Sequence, residues 1–332
     1  MSDGLIWVTE QDVVSLVTLD DAIVALEQIA SDPGAFNLPK ALGGFDDGSS
    51  MHALGSSAPG LGFAGFKTWV HTKRGATAVY SLFDSRVGAV RAVIEAGALG
   101  QLRTSAMTGL GTRWMAAERV DDMGLIGTGF QALTQVAAVH AVRPLRRVRV
   151  FSPTPEKRQA FVALLRKRFS FQISEAASAA EAAANAPIVT IVTRARDPFF
   201  SADMLAHGAH LNAVGAILPT HAEFTQDVFD RVGSIAVDDL TNVQKVSREF
   251  VDRFAGERGW QAVRSIGEII RSGRPARPEG GDVSLFKSVG MGLSDLAVAM
   301  MVFERARARG VGRAIASAQR AMPTWKGDRG NF

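Results

Sequence analysis

Asp121-Asp-Met-Gly-Leu-Ile-Gly127-Thr128-Gly129-Phe130-Gln131-Ala132 is a short apolar run that breaks at two glycines and then enters a helical pattern. It reads as strand, tight turn, helix. Gly127 permits the turn, Gly129 lets the backbone approach a pyrophosphate, and Ala132, in the third small-residue slot, lets the helix pack closely on the strand. The helix N-terminus then offers unpaired N–H groups to phosphate oxygens. In a chain with 33 glycines such a match is also an ordinary turn, so the flanks decide. Leu133 to Val142 is helix-compatible, Arg143-Pro144 ends it, and Arg147-Val-Arg-Val-Phe151 supplies a second short strand. That rhythm selects a dinucleotide-binding βαβ unit.

The end of the second strand chooses the nucleotide, because an acid there binds the ribose 2′-OH and repels a 2′-phosphate. Here Phe151 is followed by Ser152-Pro-Thr154-Pro-Glu-Lys157-Arg158. Two hydroxyls and two cations suit a phosphate, which favours NADPH over NADH, with Ser152, Thr154 and Arg158 as its ligands. The competing reading has Ser152 and Thr154 only capping a helix that starts near Pro155.

Outward from this unit, the alternation continues through a helix at Pro155 to Arg168, a strand near Phe171 and an alanine-rich helix ending at Asn185. Strands follow at Pro187 to Val192, Ala209 to Val214 and Ser234 to Val237, the first buried on both faces by its unbroken apolar character. Upstream, Asp20 to Ala30 is an amphipathic helix. From Phe63 to Ile94 the pattern is that of successive strands, with a turn at Asp84 to Gly88. A long helix from Gly97 to Ala117 then leads into the nucleotide motif. The fold expected is α/β: a Rossmann-type doubly wound parallel sheet plus an N-terminal α+β domain. Residues 117–294 form the first, and residues 1–116 with 295–332, which include the C-terminal helix, form the second.

With 332 residues and 47% hydrophobic side chains the chain can bury two sizeable cores. Cysteine is absent, so there is no disulfide, thiolate metal site or cysteine nucleophile, and a reducing cytoplasm is the expected compartment. The chain opens on no basic-apolar-small signal, and no apolar run approaches the about 18 residues of a membrane helix. A net charge of +4 is mild, so neither nucleic acid nor membrane is an expected partner. Arg305, Arg307, Arg309 and Arg313 read as the solvated face of a C-terminal helix. His207 and His210 are the only close histidine pair and have no acid at ligand spacing, so no metal is expected.

Five separated motifs resemble the ornithine cyclodeaminase/µ-crystallin family: Gly65-Phe-Lys67, Leu102-Arg103-Thr104-Ser-Ala106, the Gly127–Ala132 turn, Leu211-Asn-Ala-Val214-Gly215, and Leu285-Phe-Lys-Ser288-Val289-Gly290 with Asp295 after it. They span most of the chain in family order. The resemblance implies an NAD(P)-dependent enzyme, usually a homodimer, whose N-terminal domain binds substrate and dimerises. It further implies that Lys67 and Arg103 hold a substrate carboxylate, with Lys40 loosely matching a further family cation. Chemistry agrees, since a guanidinium clamps a carboxylate through two parallel bonds, and a cation near a helix start is not there for the dipole. Each is otherwise a surface cation. Thr104, Thr128, Phe130, Gln131, Thr193, Val214, Gly215, Ser288, Val289 and Gly290 join Gly127 and Gly129 as the implied cofactor contacts.

The departures bear on substrate. Cyclodeaminases follow N-A-V-G with an aspartate for the substrate amine, where this chain has Ala216-Ile217. The family's Glu-Leu-Met-Pro appears as Ser49-Ser50-Met51-His52. A buried ornithinium charge without a carboxylate costs several kcal/mol. The expectation is therefore an NADPH-dependent reductase of an α-imino acid such as Δ1-pyrroline-2-carboxylate or Δ1-piperideine-2-carboxylate, with Met51, His52 and Ile217 lining the substrate and His52 or Lys67 relaying a proton. Rival readings are an amino-acid dehydrogenase using a keto acid and an amine, the cyclodeaminase itself, and an NADPH-dependent small-molecule binder.

Overall fold

The computed structural model describes residues 4–254, 256, 259–316 and 319–323. Its N-terminal part contains β1 (Leu5–Val8), α1 (Glu10–Leu16), α2 (Leu19–Ser31), β2 (Phe36–Asn37), β3 (Ala41–Gly44), β4 (Ser50–Ala58), β5 (Phe63–Thr72), β6 (Gly75–Asp84), β7 (Ala89–Glu95) and α3 (Gly97–Met115). Thr9 and Thr18 begin α1 and α2 as capping boxes with Asp12 and Asp21. The first turn of α3 lacks a cap from its own segment. Instead the Glu10 carboxylate accepts from the N–H groups of Gly97 and Ala98, at 2.5 and 2.6 Å. At the other end the buried Arg143 guanidinium donates to the carbonyls of Thr112, Arg113, Ala116 and Ala117. The Arg143-Pro144 stop thus also ties the long helix to the nucleotide unit.

The chain continues through β8 (Asp122–Ile126), α4 (Ala132–Val142), β9 (Arg147–Phe151), α5 (Pro155–Arg168), β10 (Gln172–Glu175), α6 (Ala179–Ala183), β11 (Ile188–Ile191) and β12 (His210–Ala213). It then forms α7 (Val228–Arg231), β13 (Val232–Val237), α8 (Leu240–Val246), α9 (Arg248–Arg253), β14 (Val263–Ser265), α10 (Ile266–Ser272), β15 (Val283–Lys287), α11 (Gly292–Arg309) and β16 (Arg313–Ile315). Strands β8 to β15 make one parallel sheet in the order β10-β9-β8-β11-β12-β15-β13-β14. Successive residues of β15 show its double burial: Leu285 enters the core on one face and Phe286 the core on the other. The order reverses between β8 and β11, which places a crevice at their carboxyl ends.

The other sheet runs β16-β1-β7-β6-β5-β4-β2, with β3 paired to β4. One face buries Leu54, Tyr80, Leu82 and Ile94, and α2, α3 and α11 pack near it in a shared core. The opposite face leaves Met51, Phe66 and Val70 exposed. Helix α11 therefore crosses back from the parallel sheet, and β16 pairs antiparallel with β1. Residues 324–332, assigned from sequence to this part, lie outside the described residues. Two sequence expectations change. Arg305 is clamped on Asp21 and the Leu16 carbonyl rather than solvated, and Arg313 lies in β16, beyond the helix. The alanine-rich helix is shorter than expected, ending at Ala183.

Candidate active site

The crevice at the carboxyl ends of β8, β11, β12 and β15 is about 880 Å³, within the range of small-molecule sites. Gly127, Thr128, Gly129, Phe130 and Gln131 form its floor. Gly127 has φ +113°, and a Cβ there would meet the Val192 carbonyl at 2.5 Å, so both turn and packing require glycine. A Cβ built on Gly129 meets nothing within 4 Å. The N-cap residue of α4, Gln131, makes no side-chain cap bond, and its Oε1 is buried without a partner. Open space above a glycine, beside a helix start without a side-chain cap, fits a pyrophosphate.

At the end of β9, Ser152, Pro153, Thr154 and Lys157 line the crevice. Thr154 is the N-cap residue of α5, yet its hydroxyl makes no capping bond, so capping does not account for it. Arg158 departs from expectation. It pairs with Glu175, donates to the Ser152 carbonyl and lies over the Phe151 ring, while Lys157 faces the crevice in its place. At the far end stand Thr193, Val214, Gly215, Ile217, Ser288, Val289 and Gly290, with Arg103 and Thr104 reaching in from α3.

Behind Arg103 lies a buried charge cluster. Lys67 Nζ donates to Asp295 Oδ1 at 2.8 Å, and Arg103 Nε is 3.2 Å from the same oxygen. Lys67 comes from β5 and Asp295 from α11, both on the first sheet's buried side. Burial lowers the Lys67 pKa to about 8, reinforced by Arg103 and opposed by Asp295. Lys40 is likewise lowered to about 8, by burial first and then by Arg103, with Asp238 opposing. The three cations expected to converge do converge, and the added partner is Asp295, which the sequence marks only as part of a motif. At Gly290, φ is +94° and a Cβ would sit 3.1 Å from the Arg103 guanidinium, so this glycine admits the arginine.

Two substrate expectations need correction. Strand alternation puts residues 51 and 52 of β4 on opposite faces, so Met51 points to the exposed face, away from the crevice. His52 is buried on β4 and stacks on Trp69 with centroids 4.4 Å apart. Burial first, and then Lys40, lower its pKa to about 4, which disfavours the imidazolium that a general acid at neutral pH would need. The His207/His210 pair also separates. His207 is exposed beside Asp282, whereas His210 is buried between Ser284 and Asn212. Among the described residues no group of three or more His, Cys, Asp or Glu could hold a metal ion, and no helix is long and apolar enough to cross a membrane.

Two buried acids hold the crevice wall. Asp238 accepts from Ser288 Oγ at 2.7 Å and from the N–H groups of Val289 and Gly290. Glu223 accepts from Thr193, Gly215 and Ala216. The two share no motif spacing, and only the strand order brings them to the same edge.

A Rossmann-type sheet whose dinucleotide crevice ends at a buried cation cluster defines a nicotinamide-nucleotide-dependent oxidoreductase. More particularly, the chain belongs to the ornithine cyclodeaminase/mu-crystallin family, whose sequence pattern matches residues 50–310. A Δ1-pyrroline-2-carboxylate reductase of Bacillus cereus is 30% identical over 250 residues, 73% of this chain and 75% of that protein. The alanine dehydrogenase of Archaeoglobus fulgidus is 28% identical over 325 residues, 92% of this chain and 97% of that one. Among solved structures, an archaeal alanine dehydrogenase dimer with bound NAD matches with a TM-score of 0.86 at 26% identity, over 94% of this chain and 98% of that chain.

Proposed function

We propose that this protein is an NADPH-dependent reductase of an α-imino acid, with a cyclic ketimine of the Δ1-pyrroline-2-carboxylate or Δ1-piperideine-2-carboxylate type as substrate. One observation carries the reading: Arg103, Lys157 and Arg194 line the crevice, and among the described residues no Asp or Glu does. A substrate with a second, cationic amine has no counter-ion there, whereas a carboxylate does. Residues 1–116 and 295 onward would bind substrate, and residues 117–294 the dinucleotide. Reduced nicotinamide, when bound, supplies the hydride.

In this reading Arg103 binds the substrate carboxylate bidentately, and Lys67 supports it. Lys67 directs one N–H at Asp295 and, as an ammonium, retains others for a second acceptor. Fixing the carboxylate aims the adjacent imine carbon at the strand-end wall, and such orientation is a large part of the rate enhancement. A cyclic ketimine bound already protonated needs no acid from the protein, which suits a crevice lined by no histidine among the described residues. The test is oxidation of NADPH and NADH with a panel of cyclic imino acids, and with keto acids plus ammonia or methylamine. Turnover with cyclic imines alone supports the proposal; turnover that requires added amine would replace it with an amino-acid dehydrogenase.

The crevice favours NADPH through Ser152, Thr154 and Lys157. One or two charge-assisted contacts to a 2′-phosphate amount to roughly 1.5–3 kcal/mol, so NADPH should bind at least about tenfold more tightly than NADH. Ser152→Asp should reverse that order by repelling the phosphate. Equal affinities for the two nucleotides in a calorimetric titration would remove the case.

The exposed face bearing Met51, Phe66 and Val70 is proposed to pair with a second copy, since apolar side chains gathered on one sheet face mark an association surface. Sedimentation should give a dimer, and Phe66→Lys should shift it toward monomer. A monomeric wild-type protein at micromolar concentration would defeat this.

A further inference from the structure

Glu223 is fully buried in the segment between β12 and α7, and each of its carboxylate oxygens serves a different strand end. Oε1 accepts from the Thr193 N–H and hydroxyl, both at 2.7 Å. Oε2 accepts from the N–H groups of Gly215 and Ala216, at 2.8 and 3.0 Å. The carboxylate is thus a staple across the ends of the adjacent strands β11 and β12. Its own position is secured from behind. The Glu223 N–H donates to Glu249, its carbonyl accepts from Phe199 and Phe200, and Lys287 lies 3.4 Å from both Glu249 oxygens. All four groups donate to the carboxylate, an arrangement that suits its ionised form. Burial raises its pKa, opposed by Lys287, by the Thr193 N–H and hydroxyl and by the Ala216 N–H.

In a dinucleotide stretched across the crevice the adenosine lies by Ser152 and Thr154, past the end of β9, and the nicotinamide on the other side of the switch point. The second half is walled by Thr193 and Gly215, the residues Glu223 holds. Strand-end loops are mobile unless tied, and a hydride donor must be held within a narrow range of approach. We infer that Glu223 is a positioning residue for the nicotinamide ring, acting through Thr193 and Gly215 with no contact of its own to substrate. This rests on the dinucleotide reading of the crevice.

The experiment compares NADPH with adenosine-2′-phosphate diphosphoribose, which lacks the nicotinamide, by calorimetric titration of wild type and Glu223→Gln. The amide turns an NH2 group toward one pair of donors and releases one strand end. NADPH affinity should fall about tenfold, while affinity for the truncated nucleotide stays within about twofold. An equal loss for both nucleotides means general damage and overturns the inference, as does no loss for either. If wild type binds neither, the cofactor reading itself fails. Should Glu223→Gln not fold, Thr193→Val deletes one of the four bonds and should show the same selective loss at about threefold; loss from both nucleotides, or from neither, again overturns it.

Discussion

Asp295→Asn should destabilise the protein by on the order of 3–5 kcal/mol and move the alkaline decline of kcat/KM to lower pH. Asp295 is fully buried, and its Oδ1 neutralises Lys67 at 2.8 Å and Arg103 at 3.2 Å. Asparagine keeps the shape and removes the charge, leaving the buried Lys67 and the partly exposed Arg103 without a counter-ion. The pH effect follows from Lys67, whose pKa falls from 10.5 to about 8 in the fold. Between those values the unfolded chain keeps the proton that the folded one has lost, so this group's contribution to stability rises with pH across the window and is flat below about 8. Carboxylate binding needs the ammonium, so wild-type kcat/KM should decline as pH rises through about 8. Asp295 opposes the downward shift, and without it the Lys67 pKa drops further, taking the decline with it. Chemical denaturation and a pH profile of kcat/KM are the two measurements. An unmoved alkaline limb in a folded variant would show that this pair does not control the active charge.

Arg103→Lys should lower kcat/KM by on the order of a hundredfold or more, about 3 kcal/mol, with NADPH affinity nearly unchanged. Lysine preserves charge and loses the planar fork that meets both carboxylate oxygens. The tertiary contacts sharpen the expectation. Arg103 enters the crevice over Gly290 with its Nε 3.2 Å from Asp295 Oδ1, and a lysine Nζ cannot both pair with Asp295 and span a carboxylate. Steady-state kinetics on a cyclic imino acid, beside a nucleotide titration, separate the outcomes. Normal turnover, or a defect confined to NADPH binding, would dismiss Arg103 as the carboxylate clamp.

The nucleotide-binding half is legible because its elements are local. Strand β8, the Gly127–Ala132 turn, α4 and β9 each carry a periodic or positional signal within a few residues, and a parallel strand buried on both faces is apolar throughout. The first sheet is harder to read. β4, Ser-Met-His-Ala-Leu-Gly-Ser-Ser-Ala, is small and polar with weak alternation, so nothing in its sequence marks it as a strand. Met51 and His52 therefore read as one substrate-lining pair, although the strand sends them to opposite faces. Arg158 and Lys157 are equally suitable cations in sequence, and Glu175 on β10 decides between them by occupying the first.

By itself the sequence determined the class of fold and the strand–turn–helix at Gly127–Ala132, because these depend on chain stereochemistry and on residue types at short spacing, whereas Lys67, Arg103 and Lys40 were marked only by the family resemblance. Tertiary structure alone decided how the charges are balanced. Asp295 is 228 residues from Lys67 and meets it only because α11 folds back across the first sheet. Glu223 reaches Thr193 across 30 residues only because β11 and β12 lie side by side. A buried charge is tolerable only with a partner at contact distance, and contact distance between remote residues is a property of packing rather than of sequence spacing.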